Sequence, residues 1–411
     1  MLVSVLVMAL MATSSADSAT TYGSVRAEQG NTGPGYAMHP LRLAVFGRDA
    51  QGRPQTTISQ PPGYTPQQIR TYLGFPSTGG AGQTVAVVDA FHSPSLRSDV
   101  NHFSSHFKLP LTCGATHPPP CFTLKQLTPR NTGTNKGWAT EEALDVEWVH
   151  AIAPMANIIV AEAVNNGINP LFAALERAKA HGAAVIGNSW GGFEFGNEKA
   201  FDGHCANLLA AVCVFASGDF GNPGFYPAYN PSAIAVGGTT LELDSSGNPV
   251  SGGESAWSCM FDCFGTGGSG GGQSAVEGKQ SYQNAIAGAQ RGIPDVSFDA
   301  DVNTGVPIYA SFNGVHHWYL AGGTSLSTQA WVGILAVADG ERATASKLPL
   351  HASGFEAQNV LYGLSYPPLF DVTVGTNGQC GSVCTAGSNY DFVTGLGSPR
   401  SGIDTALAAA P

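Results

Sequence analysis

Thr84-Val85-Ala86-Val87-Val88-Asp89 is a short β-branched run that ends in a carboxylate, as a strand buried in a parallel sheet does. A helix reaching to about Phe107 follows it, with Ser93 expected at the N-cap and Pro94 at the first position, both suited to a helix start. Working outward toward the C-terminus, the alternation recurs. It predicts a helix over Ala139–Ile152, a strand over Asn157–Ala161, a helix over Asn169–His181 and a strand over Ala184–Ser189. A helix over Glu198–Ala211 and a strand over Val212–Ala216 complete the series. Strand and helix alternating at this spacing predict a doubly wound, mostly parallel α/β sheet in a single large domain. Toward the N-terminus, residues 20–80 are rich in Thr, Gln, Gly and Pro, with one helix expected over Thr65–Leu73. They read as an exposed lead-in or short prosegment before a domain of residues 81–411. Beyond Ile234-Ala235-Val236-Gly237-Gly238, the Gly/Ser-rich Gly265–Ser274 suits a surface loop. A strand over Gly305–Tyr309 and a hairpin through Asn313-Gly314 lead to Gly322-Gly323-Thr324-Ser325 and an apolar helix over Thr328–Asp339.

The 411 residues are 43% hydrophobic and 11% charged, a globular composition that excludes disorder for most of the chain. The net charge of -11 without long basic runs argues against a nucleic-acid partner. The eight cysteines fall as four close pairs: Cys113 with Cys121, Cys205 with Cys213, Cys259 with Cys263, and Cys380 with Cys384. Short-loop disulfides fit this pattern better than zinc sites. Leu2–Met11 is an apolar run followed by small residues, which predicts a signal peptide over residues 1–19 with cleavage after Ala16 or Ala19. With no later segment long enough to span a membrane, a secreted, monomeric protein without a membrane or nucleic-acid partner is expected.

Three stretches could carry chemistry. In Gly322-Gly323-Thr324-Ser325 the glycines allow a sharp turn that leaves Ser325 at a helix start, where unsatisfied N–H groups and the helix dipole favour a nucleophile or an oxyanion; an ordinary helix cap reads equally well. In the helix carrying Leu144, Trp148 and Ile152, Glu141 and Asp145 lie one turn apart on one face. Two such carboxyls cannot both ionise easily, so they could share a proton, although Glu142 and Glu147 also allow a solvated acidic face. In Ala216-Ser217-Gly218-Asp219 a strand runs into a turn that projects an acid. Protonated, Asp219 could donate to a developing oxyanion; otherwise it caps turn N–H groups. None of the eleven histidines lies in a His-Gly-Thr context.

Together these stretches resemble the sedolisin family of serine-carboxyl peptidases, which have a subtilisin-like fold. Glu141-x-x-Leu144-Asp145-x-Glu147 with Ala151-Ile152-Ala153-Pro154 is similar to the family's Glu/Asp helix. Ser217-Gly218-Asp219 with Tyr226-Pro227-Ala228 and Ala235-Val236-Gly237-Gly238-Thr239 is similar to its oxyanion segment, and Gly322-Gly323-Thr324-Ser325 to its nucleophile motif. The resemblance runs from about Pro61 to the C-terminus. It implies Ser325 as nucleophile, Glu141 as general base and acid, Asp145 as its orienting partner and Asp219 as oxyanion donor, in an endopeptidase of peptides or proteins working at acidic pH. It implies that Ser189, Trp190 and Gly191 line the substrate strand. Asp371 and Asp391, with main-chain oxygens of Val372, Gly387 and Asn389, resemble the family's calcium site, a donor set of the hard oxygens that calcium takes. Asp89, ending the first strand, either extends the proton network behind Glu141 and Asp145 or caps the following turn. The short lead-in departs from the family's long prosegment and makes autoprocessing doubtful. A calcium-bound, non-catalytic peptide-binding scaffold is the alternative reading; an esterase would want a Gly-x-Ser-x-Gly elbow and a triad histidine, neither of which is evident.

Overall fold

A computed structural model describes residues 24–206, 211–258, 267–286, 288–350 and 356–411. The expected signal peptide and the Cys259/Cys263 pair lie outside the described residues. The central sheet has eight strands. Val296–Asp299, Ala233–Leu243, Val212–Ala216, Val185–Asn188, Thr84–Ala90, Asn157–Ala163 and Leu124–Leu127 lie side by side in that order, all parallel, and Pro249–Ala256 adds antiparallel to Ala233–Leu243. The doubly wound, mostly parallel sheet read from the sequence is therefore the observed one.

Because side chains alternate along a strand, the central Thr84–Ala90 strand serves both faces. Val85 and Val87 pack with the helices Lys136–Ile152 and Thr324–Thr344, while Ala86, Val88 and Ala90 pack with Ile168–Ala180 on the other side. The Lys136–Ile152 helix starts three residues before the expected Ala139, because Asn135 caps it by accepting from the Trp138 N–H at 3.0 Å. The Thr324–Thr344 helix also starts earlier than expected, directly after Gly323, so Ser325 sits in its first turn. Two helix expectations need correction. The helix before Phe107 runs Leu96–Phe107 with Ser95, not Ser93, at the cap position. Residues 198–206 form a short 3-10 turn, Glu198–Phe201, and one helical turn, Gly203–Ala206. Among the described residues, three disulfides join the neighbours that the sequence had paired: Cys113–Cys121, Cys205–Cys213 and Cys380–Cys384. The hairpin turns at Asn313-Gly314, both with positive φ, as a two-residue turn matching strand twist requires.

The lead-in is exposed only in part: residues 31–36 and 50–55 are exposed, but residues 39–45 are buried. Strands Ser24–Arg26 and Arg42–Ala44 join the hairpin strands Val306–Phe312 and Val315–Gly322 in a second, four-stranded antiparallel sheet. Leu41 and Leu43 are buried in the main core. Residues 36–44 therefore belong to the folded body, and apolar burial of a few side chains of this kind contributes about 2 kcal/mol each.

Candidate active site

The two core helices on one face of the sheet run in the same direction and in step. Gln329 on the Ser325 helix meets Asp145 on the Glu141 helix, Nε2 donating to Oδ2 at 2.6 Å. One turn further on, Gly333 lies against Val149 and Ile152, so closely that a Cβ on it would come 2.7 Å from the Ile152 side chain. One turn back from the Gln329–Asp145 contact, at 3.6 residues per turn, the same registration brings Ser325 level with Glu141. Both are fully buried, and neither the Ser325 hydroxyl nor either Glu141 oxygen has a hydrogen-bond partner. Asp145 is fully engaged, taking a second hydrogen bond from Ser189 Oγ at 2.9 Å through Oδ1. The Glu141 helix is buried on every side, so the solvated acidic face is excluded.

Asp219 follows the Val212–Ala216 strand and faces the start of the Ser325 helix. Its Oδ1 accepts from the backbone N–H and the hydroxyl of Thr324, both at 2.9 Å. Its Oδ2 accepts from Arg42 Nε at 3.0 Å, and Arg42 Nη2 reaches its carbonyl at 2.8 Å. Burial raises its pKa, against the lowering pull of Arg42 and Thr324. In this state Asp219 accepts four-square and donates nothing. Gly323 is fixed by geometry here: its φ is 95°, and a Cβ on it would lie 1.9 Å from the Pro40 carbonyl oxygen.

Arg42 and Pro40 belong to the lead-in, and what it does here was not legible in the sequence. Residues 36–42 run through the site as an extended strand. Met38 exchanges both backbone hydrogen bonds with Gly191, at 2.8 and 3.0 Å, and the Ala37 N–H donates to the Asn166 carbonyl at 2.8 Å. His39 Nδ1 comes within 3.0 Å of Glu141 Oε2, off the alignment of a full hydrogen bond, while its Nε2 lies 2.9 Å from the Glu28 carbonyl. A carbonyl can only accept, so Nε2 carries a proton; a further proton must then be shared between Nδ1 and Glu141 for their contact to be attractive. Of the three expected strand residues, only Gly191 touches the extended segment through its backbone. Ser189 serves Asp145 instead, and Trp190 packs edge-on against Phe172 and Phe215. A cleft of about 740 Å³ opens beside residues 33–38, lined by Trp190, Phe193, Phe195 and Phe201.

Behind Glu141 stands a layer of buried carboxyls. Asp89 pairs in register with Glu162 on the neighbouring strand, and neither of its oxygens has a hydrogen-bond partner; it caps no turn. Burial, then the fields of Glu141 and Glu162, raise its pKa well above the usual range. Burial likewise raises Glu142 and Asp145, helped by neighbouring carboxyls. Glu162 is held by His92 at 2.9 Å and by Gln126 at 3.0 Å. His150, which the sequence left unassigned, is pushed down to about 3 by burial, and its Nε2 donates to the Pro110 carbonyl 2.9 Å away; it stays neutral.

Raised carboxyl pKa values have a defined consequence for stability. Above about pH 4 the unfolded chain has released protons that the native state still holds, so stability falls as pH rises through the folded values. Glu277, pushed up to about 7, and Glu198, pushed up to about 8, both mainly by burial, extend the window toward neutrality. The thermal unfolding midpoint is expected to be highest near pH 4–5 and to drop by several degrees by about pH 8, with Glu142→Gln flattening part of the fall. Calorimetry across that range checks it, and a midpoint that rises with pH refutes the buried-carboxyl account.

At the C-terminal end, the five residues read as a calcium site gather on one pair of turns. Asp371 Oδ2 accepts from the Asn389 N–H at 2.8 Å, and Asp391 Oδ2 from the Gly387 N–H at 2.9 Å. Thr394 Oγ1 reaches the Val372 carbonyl at 3.5 Å. Asn389 has a φ of 63°, which a short polar side chain tolerates. No group of three or more His, Cys, Asp or Glu side chains with metal-binding geometry occurs among the described residues, so any ion here would draw on main-chain oxygens as well.

The fold and the site together define an α/β protein with a mostly parallel sheet and a buried serine at a helix start beside a helix of buried carboxyls. No protein-family model matches the chain. It is 36% identical over 178 residues to sedolisin from Pseudomonas sp. (strain 101), an alignment covering 42% of this chain and 28% of that protein. It is 28% identical over 427 residues to kumamolisin from Bacillus sp. (strain MN-32), covering 92% of this chain and 72% of that protein. Among solved structures, Pseudomonas sedolisin, a serine-carboxyl proteinase complexed with two molecules of pseudo-iodotyrostatin, superposes with a TM-score of 0.67 at 26% identity, over 83% of this chain and 96% of that one. The chain spans 28% of the length of the first of these relatives and 72% of the second. In sequence and in fold, the chain is a homologue of the sedolisin and kumamolisin peptidases.

Proposed function

We propose that the chain is a serine-carboxyl endopeptidase acting on extended peptide segments at acidic pH. The observation that carries this is residues 36–42, which lie antiparallel on Gly191 with Pro40 at Gly323, His39 at Glu141 and Arg42 at Asp219. A substrate peptide entering by β-augmentation would need those same contacts. In the reaction, Ser325 Oγ attacks the scissile carbonyl carbon and its proton passes to the Glu141 carboxylate. Asp145 orients Glu141 and tempers its charge. Asp219, once freed of Arg42 and protonated, donates a hydrogen bond to the developing oxyanion. Glu141 then returns the proton to the departing amine as the C–N bond breaks, and water releases the acyl group from Ser325 by the same steps in reverse. Asp89 supports this as a further carboxyl of the proton-sharing layer. Acidic working pH follows, because the base is a carboxyl and the oxyanion donor must hold a proton.

The test is digestion of an unfolded protein across about pH 3–8, set against hydrolysis of a short-chain ester. Peptide cleavage confined to acid supports the reading, and a maximum above neutral pH overturns it. Secretion is the expected setting: the disulfides support an oxidising compartment, and among the described residues no helix is long and apolar enough to cross a membrane.

Calcium fits the donor chemistry of Asp371, Asp391 and the carbonyls of Val372, Gly387 and Asn389, and would tie the C-terminal turns together. Chelation is expected to lower the unfolding midpoint by several degrees, reversed by calcium but not by magnesium, and Asp391→Asn is expected to remove the difference. Identical melting with and without chelator refutes it.

A further inference from the structure

The Ser325 helix carries a buried amide, one turn beyond the serine, that no step above employs. Gln329 is fully buried on a helix that also buries Leu326, Ala330, Trp331 and Ile334. A buried amide among such neighbours is costly unless it is hydrogen-bonded. Its Nε2 donates to Asp145 Oδ2 at 2.6 Å and to Ser189 Oγ at 2.9 Å, while Ser189 Oγ donates to Asp145 Oδ1 at 2.9 Å. The three side chains close a ring in which Gln329 and Ser189 each donate to the Asp145 carboxylate and Gln329 also donates to Ser189. The opposite amide orientation would set Oε1 against Asp145 Oδ2, oxygen against oxygen, unless Asp145 held a proton. Oε1 has no partner and faces Gly187, where a Cβ would come within 2.3 Å of it; only a glycine on that strand leaves room for the amide.

We propose that Gln329 is a positioning residue for Asp145: with Ser189 it fixes the carboxyl behind Glu141 and opposes its uptake of a further proton. The inference rests on the proposed function for its catalytic consequence, but its chemistry is local. The titratable groups facing Asp145 are Glu141 on its own helix and Asp89 on the central strand, both carboxyls that disfavour its charge, with His39 on the far side of Glu141. Among the described residues, Gln329 and Ser189 are the side chains that donate to it. Removing the amide leaves one donor against two repelling neighbours, so Asp145 takes up its proton at higher pH.

Gln329→Met keeps the volume and removes the donors. Its kcat is expected to fall about tenfold near pH 4 with KM little changed, and the acidic limb of the pH–rate profile to move up by about one unit. Gln329→Glu moves the other limb: protonated, its O–H donates to Asp145 and sustains activity in acid, whereas ionised it repels Asp145, so the alkaline limb shifts down. A residue that served packing alone would lower activity evenly with both limbs in place, and that result overturns the proposal. A second readout needs no catalysis. In a Ser325→Ala background, carboxyl NMR titration of Asp145 is expected to move upward on adding Gln329→Met, and an unchanged titration overturns the proposal. Failure of the peptidase reading looks different: wild type and Ser325→Ala would then cleave equally.

Discussion

Ser325→Ala is expected to lower kcat/KM for an unfolded protein substrate near pH 4 by about 10⁴-fold or more, with Glu141→Gln close behind. The two losses should not add, because the nucleophile and its base act as one unit. The reason lies in their common burial. Ser325 sits in the first turn of its helix with no hydrogen-bond partner, level with a Glu141 whose polar contact is His39 of the lead-in strand. The Thr324 hydroxyl and Asp219 are committed to one another, His150 is tied to Pro110, and His39 meets Glu141 rather than Ser325. Asp219→Asn keeps a donor but loses the proton, and a smaller loss of about 10²- to 10³-fold is expected, as for removal of one oxyanion donor. All three variants should melt within a few degrees of wild type, which separates lost chemistry from lost fold. A folded wild type that cleaves neither peptide nor ester would move the weight to the peptide-binding scaffold.

The parallel sheet was legible because buried parallel strands write themselves as short β-branched runs, and Val85–Val88 and Val212–Phe215 do so. The site was legible as three separate motifs, each short and local in sequence. What brings them together was not, since registration between two helices is a tertiary property: nothing in Asp145 or Gln329 alone announces that they meet. The lead-in was legible only in its exposed parts, for a related reason. Residues 24–60 have no period of 2 or 3.6, and their order comes from pairing with strands and loops more than a hundred residues away, Gly191 and Ala321 among them. Polar, proline-containing segments of this kind read as exposed until their backbone partners are known. The one available signal was the tripeptide Leu41-Arg42-Leu43, where an arginine between two leucines marks a buried strand carrying a cation to a specific partner.

That arginine makes the second large effect. With residues 36–42 laid along Gly191, Asp219 accepts from Arg42 and donates nothing, so on the proposed function the described state is a blocked one. Arg42→Ala is expected to raise the initial rate on a short peptide substrate at least about tenfold, and to shorten any lag after acidification. Removing one partner of a buried ion pair is ordinarily costly, about 3–5 kcal/mol, because it strands a charge. Here the stranded group can take up a proton instead. Burial already raises the Asp219 pKa and Arg42 opposes that, so without Arg42 the protonated, donating form persists to higher pH, and the alkaline limb of the activity profile should move upward. Hydrogen exchange gives the matching structural test: the Met38 and Gly191 amides, paired in the wild type, should lose protection in the variant at neutral pH. Leu41 and Leu43 anchor the strand in the core, so exchange over Arg42–Ala44 should change far less. An Arg42→Ala protein with wild-type onset and undiminished Met38 protection would mean that the segment is held by its backbone pairing and core contacts alone, and that the guanidinium is no lock on Asp219.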